Sequence, residues 1–404
     1  MNSESSLNKR IDVVDALRGF ALLGIVIVHF MEQFYAGSPP KGHENYAVHI
    51  FSDEVFEFIG NFFIRGKFFM LFSFLFGVSF SLQMGRAAEK GLNFAWRFAW
   101  RLVILGVIGW IHQCFYRGDI LTIYAMVGLP LILFHTMNNK WVLACAAVLM
   151  LGTPRIIQRL SNPNLNVQKT FDDMAKGEVA YWEKAKSGTW SDVAAANSTQ
   201  GFMDKLEFQF GFVGRGYQTF ALFLLGLYAG RNRLFEDSEA KKRLYRRFLL
   251  RGLLALVLIF GAGALLFLVF KINDKNPIWA NVVGITLFDI QNLILMTIYI
   301  AGFMLLYHKK WGQRQLQKLA PYGRMALTNY VFQSVIGTAI LFGWGFGKLG
   351  DVGSTWMFLL AIIVFILQRL FSVWWLKNYY FGLLEWAWRS LTYFKIQPFR
   401  KIKN

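Results

Sequence analysis

Apolar runs approaching the length needed to cross a lipid bilayer recur along the whole chain, and a soluble core cannot absorb so many of them. Ala16 to Phe30, Phe68 to Leu82, Leu102 to Ile111, Trp141 to Leu151, Leu253 to Phe270, Ile290 to Tyr307 and Thr355 to Leu376 are the clearest. Most of them, with their flanks, reach the ~20 residues that carry a helix across about 30 Å of hydrocarbon. Lipid satisfies no backbone polar group, so a span must be a helix or belong to a closed barrel, and the period-two alternation of barrel strands is missing. The pattern predicts an all-α, polytopic membrane protein with about ten transmembrane helices. Only 17% of the 404 residues are charged, against roughly a quarter in soluble domains, which excludes an ordinary soluble fold.

The formal charge of +19 could point to nucleic acid, but the basic residues lie in short connections between apolar spans and form no single soluble face. Nucleic acid is therefore not an expected partner. Lys9, Arg10 and Arg18, then Arg86 to Arg101, Arg231 to Arg251, Lys309 to Arg324 and Lys377 to Lys403 fall in alternate loops. By the positive-inside rule these loops and both termini are cytoplasmic. The polar segment 158–210 then lies outside, and Val179, Trp182, Trp190, Val193, Phe202 and Leu206 at helical spacing predict an extracytoplasmic helical cap. Residues 377–404 read as an amphipathic cytoplasmic helix at headgroup level, with Glu385 and Arg389 spaced to pair. No separate soluble domain is evident, so residues 1–404 form one integral membrane domain. His29, Glu32 and Gln33 before Tyr35-Ala36-Gly37-Ser38 make a poor signal-peptide core, so the first span is expected to stay. Cys114 and Cys145 are expected in opposite leaflets and hence free.

Ionisable groups inside spans are costly, which makes each a functional candidate. Arg18 and His29 are eleven residues apart, so they share one helix face about 16 Å apart. Asp15 and Arg18 also suit a helix N-terminus and a cytoplasmic anchor, and His29 a buried imidazole bonded to a neighbouring helix. Arg65 and Lys67, between apolar blocks, either snorkel to lipid phosphates or hold an anionic substrate group. His112, Arg117 and Asp119 make either an acid/base cluster or a loop-stabilising ion pair. Arg324 sits at the cytoplasmic entry of a later span, where Asn329 and Gln333, spaced i and i+4, either bond to another helix or touch substrate. No zinc-ligand spacing, phosphate loop, serine elbow or CxxC is present, so neither a metal nor a bound cofactor is expected.

The strings DALRGFALLGI at 15–25, KFFMLFSFLFG at 67–77, GWIHQCFYRGDILTIYAMVG at 109–128, GRMALTNYVFQ at 323–333 and GLLEWAWRSLT at 382–392 resemble the YeiB-like family of bacterial inner-membrane proteins. That family is more distantly related to transmembrane acyltransferases of the acyltransferase-three and heparan glucosaminide acetyltransferase types. The acyltransferase-three family carries an arginine, ten residues and a histidine on its first helix, the spacing of Arg18 and His29. The resemblance implies an acyltransferase in the bacterial inner membrane, moving an acyl group from a cytoplasmic thioester such as acyl-CoA to a glycan or lipid acceptor at the outer face. Arg18 and Arg324 would then hold the donor and His29 would be general base or acyl carrier. The acceptor would approach past Asp119, His112, Arg65 and Lys67. Membrane lipids are expected partners, and association with further copies of the chain is left open. The rival reading is a transporter or flippase with His29 as a proton relay.

Overall fold

A computed structural model describes residues 2–36, 40, 50–91, 94–162 and 167–402; Gly37, Ser38, Lys403 and the side chains of Lys9 and Arg10 lie outside the described residues. Helix α1 (Asn2–Met31) leads, followed by α2 (Phe51–Ile59), a wide turn at 60–64, and α3 (Lys67–Glu89). Next come α4 (Ala95–Gln113), α5 (Leu121–Leu131), α6 (Asn139–Met150) and α7 (Thr153–Ser161). The segment predicted as a cap contains α8 (Val167–Ser187), α9 (Trp190–Ser198) and α10 (Gln200–Phe210). Then follow α11 (Arg215–Arg231), α12 (Glu239–Ala264), α13 (Ile272–Lys275) and α14 (Pro277–Tyr307). The chain closes with α15 (Lys310–Leu316), α16 (Ala320–Arg324), α17 (Ala326–Leu341), α18 (Ser354–Asn378) and α19 (Leu383–Tyr393). Among the described residues there is no sheet, only an isolated bridge between Tyr379 and Arg400.

The expectation of about ten spans is too high. Among the described residues five helical stretches are long and apolar enough to cross a bilayer: Asp12–Met31, Phe51–Glu89, Glu239–Val269, Ile278–Tyr307 and Ser354–Asn378. A sixth exists if α6 and α7, bent by 56° at their junction, count as one. The sequence count overran because apolar runs were equated with spans. Helix α5 has 11 residues and α17 has 16, about 16 Å and 24 Å at 1.5 Å per residue, short of the ~30 Å hydrocarbon core. The chain is a multi-pass membrane protein with five or six candidate spans among the described residues.

Helix α1 is the hub, packed on α3, α16, α17 and α18, while α11 lies against α3, α5 and α6. Between α3 and α11 the backbones nearly touch. A Cβ added at Gly77 would meet the Phe223 carbonyl oxygen at 2.1 Å, and one at Gly226 the Phe74 carbonyl oxygen at 2.1 Å. Small residues are what permit such approach in lipid, where van der Waals packing replaces the hydrophobic drive. Helices α12 and α14 pack as a pair beside this body.

The C-terminal helix docks on the bundle. Glu385 accepts hydrogen bonds from the Leu327 and Thr328 backbone N–H groups at 2.7 and 3.1 Å and from the Thr328 hydroxyl. These are orphan donors at the start of α17, so α19 caps its neighbour. The expected Glu385–Arg389 pair does not form: Glu385 is committed to the cap, and Arg389 stacks on Phe381, 4.5 Å from the ring centre. Trp388 donates to the Arg101 carbonyl at 2.8 Å, and the Arg101 guanidinium lies 4.1 Å over its ring.

Candidate functional site

At the Met31 end of α1, a cavity of about 290 Å³ opens among α1, α3, the α4–α5 loop, the cap helices α8 and α10, α11 and α17. From α1 it is lined by Ile25, Val28 and His29, and just past the helix end by Glu32, one face at the i, i+3, i+4 spacing. Apolar walls come from Ile64, Phe68, Phe69 and Phe72, and polar ones from the cap residues Glu178, Asp204 and Lys205.

His29 is fixed by Gln333 of α17, whose amide reaches Nδ1 at 3.1 Å. As drawn, the amide donates and the ring proton sits on Nε2; turning the amide over makes it accept and leaves Nε2 bare. Nε2 has no hydrogen-bond partner among the described residues, and the ring lines the cavity. Tyr116 and Tyr330 pack on His29 at centroid distances of 4.9 and 5.8 Å. The same two tyrosines pack on His112, at 6.0 and 5.1 Å, so the two imidazoles flank one aromatic pair.

His112 is almost fully buried behind this end of the cavity. Its Nδ1 meets Asp119 Oδ1 at 2.8 Å, and its Nε2 is buried with no partner among the described residues. A carboxylate on Nδ1 holds a proton there, so in the neutral ring Nε2 is the acceptor. Asp119 also accepts from Leu121 N at 3.1 Å, Thr122 N at 3.0 Å and the Thr122 hydroxyl at 2.9 Å. Lys205 Nζ lies 3.7 Å from its other oxygen. Burial pushes the Asp119 carboxyl up, but the His112 hydrogen bond, the charges of His112 and Lys205 and the Thr122 backbone outweigh it and hold the group below the usual carboxylate range. The His112–Asp119 pairing read from the sequence as acid/base cluster or ion pair is geometrically an imidazole–carboxylate dyad.

Arg65 and Lys67 part company at Gly66, whose φ of 84° turns the chain between them. Arg65 lines the cavity and pairs with Glu32 at 2.8 Å. Lys67 is fully buried, donates to the Asn61 carbonyl at 3.1 Å and sits beside the Phe62 and Phe288 rings. Asn329 acts between helices: its amide donates to the Tyr322 carbonyl at 3.1 Å and to the Ser372 hydroxyl at 3.0 Å. Cys114 and Cys145 are free.

Arg18 and Asp15 are not in this cavity. They form an ion pair toward the other end of α1, where Arg18 also donates to the Ser79 hydroxyl at 2.6 Å. Arg324 and Arg389 lie within electrostatic range of Asp15, and neither makes a hydrogen bond through its guanidinium among the described residues. Between the two ends an aromatic pack closes the helix face. The Phe68 ring sits where a Cβ of Gly24 would be, 2.0 Å from that position, and edges onto Phe20 at 5.0 Å and Tyr299 at 5.6 Å.

Sequence reasoning missed Glu32, Lys205, Gln209 and Arg215 as cavity residues. Glu32 follows the last turn of the first span, and the others lie at the cap or its junction with α11, where a polar residue looks like solvent-facing loop. The one usable signal was Gly214-Arg215-Gly216, a cation between glycines at the entry of an apolar run.

A family model described as "Protein of unknown function (DUF418)" matches residues 229–395. The Bacillus subtilis protein named "Uncharacterized protein YxaH" is 32% identical over 98% of this chain and 97% of its own length. A Bacillus acidopullulyticus protein, "Uncharacterized 39.9 kDa protein in amylase 3'region", is 29% identical over 96% of the chain and 95% of its own. The Escherichia coli "Uncharacterized protein YeiB" is 26% identical over 94% of the chain and 95% of its own. These names carry no activity. No solved structure matches. Full-length similarity to such relatives makes this chain a member of the YeiB family of membrane proteins, with the DUF418 region over its C-terminal part.

Proposed function

We propose that the chain is a membrane-embedded acyltransferase that carries an acyl group from a cytoplasmic thioester to a hydroxyl in the cavity at the His29 end. The observation that carries this reading is the pair of imidazoles around Tyr116 and Tyr330: His29 lines the cavity with no partner on Nε2 among the described residues, and His112 behind it is held by a buried carboxylate. With the Gln333 amide turned to accept from Nδ1, His29 Nε2 is the bare, positioned base that hydroxyl activation needs. The acceptor hydroxyl gives its proton to an imidazole as its oxygen attacks the thioester carbonyl. The carbon–sulfur bond then breaks, and the thiol leaves with that proton. Arg18, Arg324 and Arg389 cluster around Asp15 at the other end of α1 and suit the phosphates of an acyl-CoA donor. The eleven-residue spacing of Arg18 and His29, about 16 Å, is the distance the donor's arm has to cover, past the Phe68 ring.

The test is purified parent and His29→Ala, compared by melting temperature and by transfer from labelled acyl-CoA into membrane lipids or glycans. Transfer should fall about a hundredfold or more while the variant still folds. Parental turnover in the variant sinks the role of His29. A parent that transfers nothing yet moves a labelled solute across vesicles is the transporter instead.

A further inference from the structure

Four cations line the cavity, Arg65, Arg117, Lys205 and Arg215. Arg65 pairs with Glu32 at 2.8 Å, Arg117 with Glu178 at 2.6 Å and Lys205 with Asp119 at 3.7 Å. Arg215 has no ion pair and no side-chain hydrogen bond among the described residues; its guanidinium lies 4.3 Å over the Phe69 ring. Asp289 and Glu32 act on it only at longer range, and each already serves another arginine, Arg155 at 3.2 Å and Arg65. The remaining acid of the lining, Asp204, is exposed on the cap and accepts from Gln200 at 2.7 Å. Gly214, with φ of 69°, turns the chain so that Arg215 opens α11 against the cavity.

A second group there is also unserved. Gln209 is 6% exposed and lines the cavity, and its side-chain amide makes no hydrogen bond among the described residues. A buried amide left without partners costs free energy that a ligand's polar group would recover. A guanidinium with its fork free takes an oxyanion, and an unserved amide in the same cavity takes a hydroxyl. The walls then select the carrier. Apolar Ile25, Val28, Phe68 and Phe72 rise from the spans, while the roof is the polar cap. That gradient is the one found where acyl chains meet headgroups, and the anion of that layer is phosphate.

We propose that this cavity binds a phosphate ester bearing at least one free hydroxyl, with the phosphate on Arg215 and a hydroxyl on Gln209. Taken with the acyl-transfer reading, on which this part rests, that molecule is the acceptor. The ester reaches the cavity either as a lipid headgroup or as a free polyol phosphate.

The experiment measures binding by the purified full-length chain in neutral detergent, with three probes: dihexanoyl phosphatidylglycerol, glycerol phosphate, and dodecyl phosphate, which has no hydroxyl. The parent is expected to bind at least one of the first two. Arg215→Gln should lose about tenfold or more for every phosphate probe it binds, as for a charge-assisted hydrogen bond. Arg215→Lys should lose less. Gln209→Leu should lose several-fold for the hydroxylated probe and nothing for dodecyl phosphate. Melting temperatures without probe check that each variant folds; if Arg215→Gln does not, unchanged affinity in Arg215→Lys together with unchanged affinity in Gln209→Leu overturns the proposal. It is also overturned if the parent binds neither hydroxylated phosphate, or if Arg215→Gln binds as the parent does. Binding of the lipid alone assigns the headgroup, and binding of glycerol phosphate as well assigns the soluble ester. Phosphate binding without any acyl transfer would remove the enzyme reading and leave this site standing; transfer to an acceptor without phosphate would remove this site alone.

Discussion

Asp119→Asn tests how much of the site depends on one buried charge. The carboxylate is fully buried and accepts from His112, Leu121, and the backbone and hydroxyl of Thr122, with Lys205 at 3.7 Å. Asparagine keeps the size and removes the charge. Hydrogen bonds to a charged group contribute about 1.5–3 kcal/mol and neutral ones about 0.5–1.5, so each retained bond weakens by roughly 1 kcal/mol. Lys205 also loses its counter-ion, and breaking a buried pair costs about 3–5 kcal/mol. The two effects overlap in one network and do not add, which puts the expected loss at about 3–5 kcal/mol. Lys205→Met in the same background removes the stranded charge and should recover ~1 kcal/mol or more. Unfolding against detergent mole fraction in mixed micelles reads both numbers. Because the folded carboxyl sits below its ordinary range, its contribution is complete above about pH 4 and is lost as pH falls through the lower folded value. A change under about 0.5 kcal/mol, or no recovery in the double variant, refutes the network.

Gly226→Ala forces a Cβ to within 2.1 Å of the Phe74 carbonyl oxygen; the helices must separate, and a loss of about 1–3 kcal/mol or more is expected in the same unfolding assay. Glu385→Ala uncaps α17 by removing the acceptor for Leu327 and Thr328, and should lower stability by about 1–2 kcal/mol, with Glu385→Gln losing less. Cysteines introduced at Lys242 and Lys310 should resist an impermeant maleimide in intact cells while those at Lys186 and Asp274 react, since the charge asymmetry of alternate loops sets orientation; labelling of Lys242 from outside reverses the assignment.

Helical character was readable from the apolar runs because lipid leaves the backbone no other option, and the long helices α1, α3, α12, α14 and α18 coincide with such runs. Their number was not, because α5 and α17 are as apolar as true spans and only their length sets them apart. His29 and Gln333 each stood out in sequence as polar residues in apolar surroundings, yet nothing local could announce that one holds the other across 304 positions. His112 and Asp119 were legible together because seven residues and one turn separate them. Arg215 and Gln209 were not, because their significance is the lack of a partner, which only the folded arrangement reveals.

The ring of Phe68 lodged on Gly24 sets a condition on protons. Among the described residues of α1, the cavity is lined only from Ile25 onward, while Arg18 and Asp15 belong to the other end. A titratable imidazole reachable from both faces of an energised membrane would shuttle protons down their gradient and dissipate it. With the aromatic pack of Phe20, Phe68 and Tyr299 in place, His29 opens to the cavity and not toward Arg18, so a proton it takes up or gives returns to the same side and the bilayer keeps its proton-motive force.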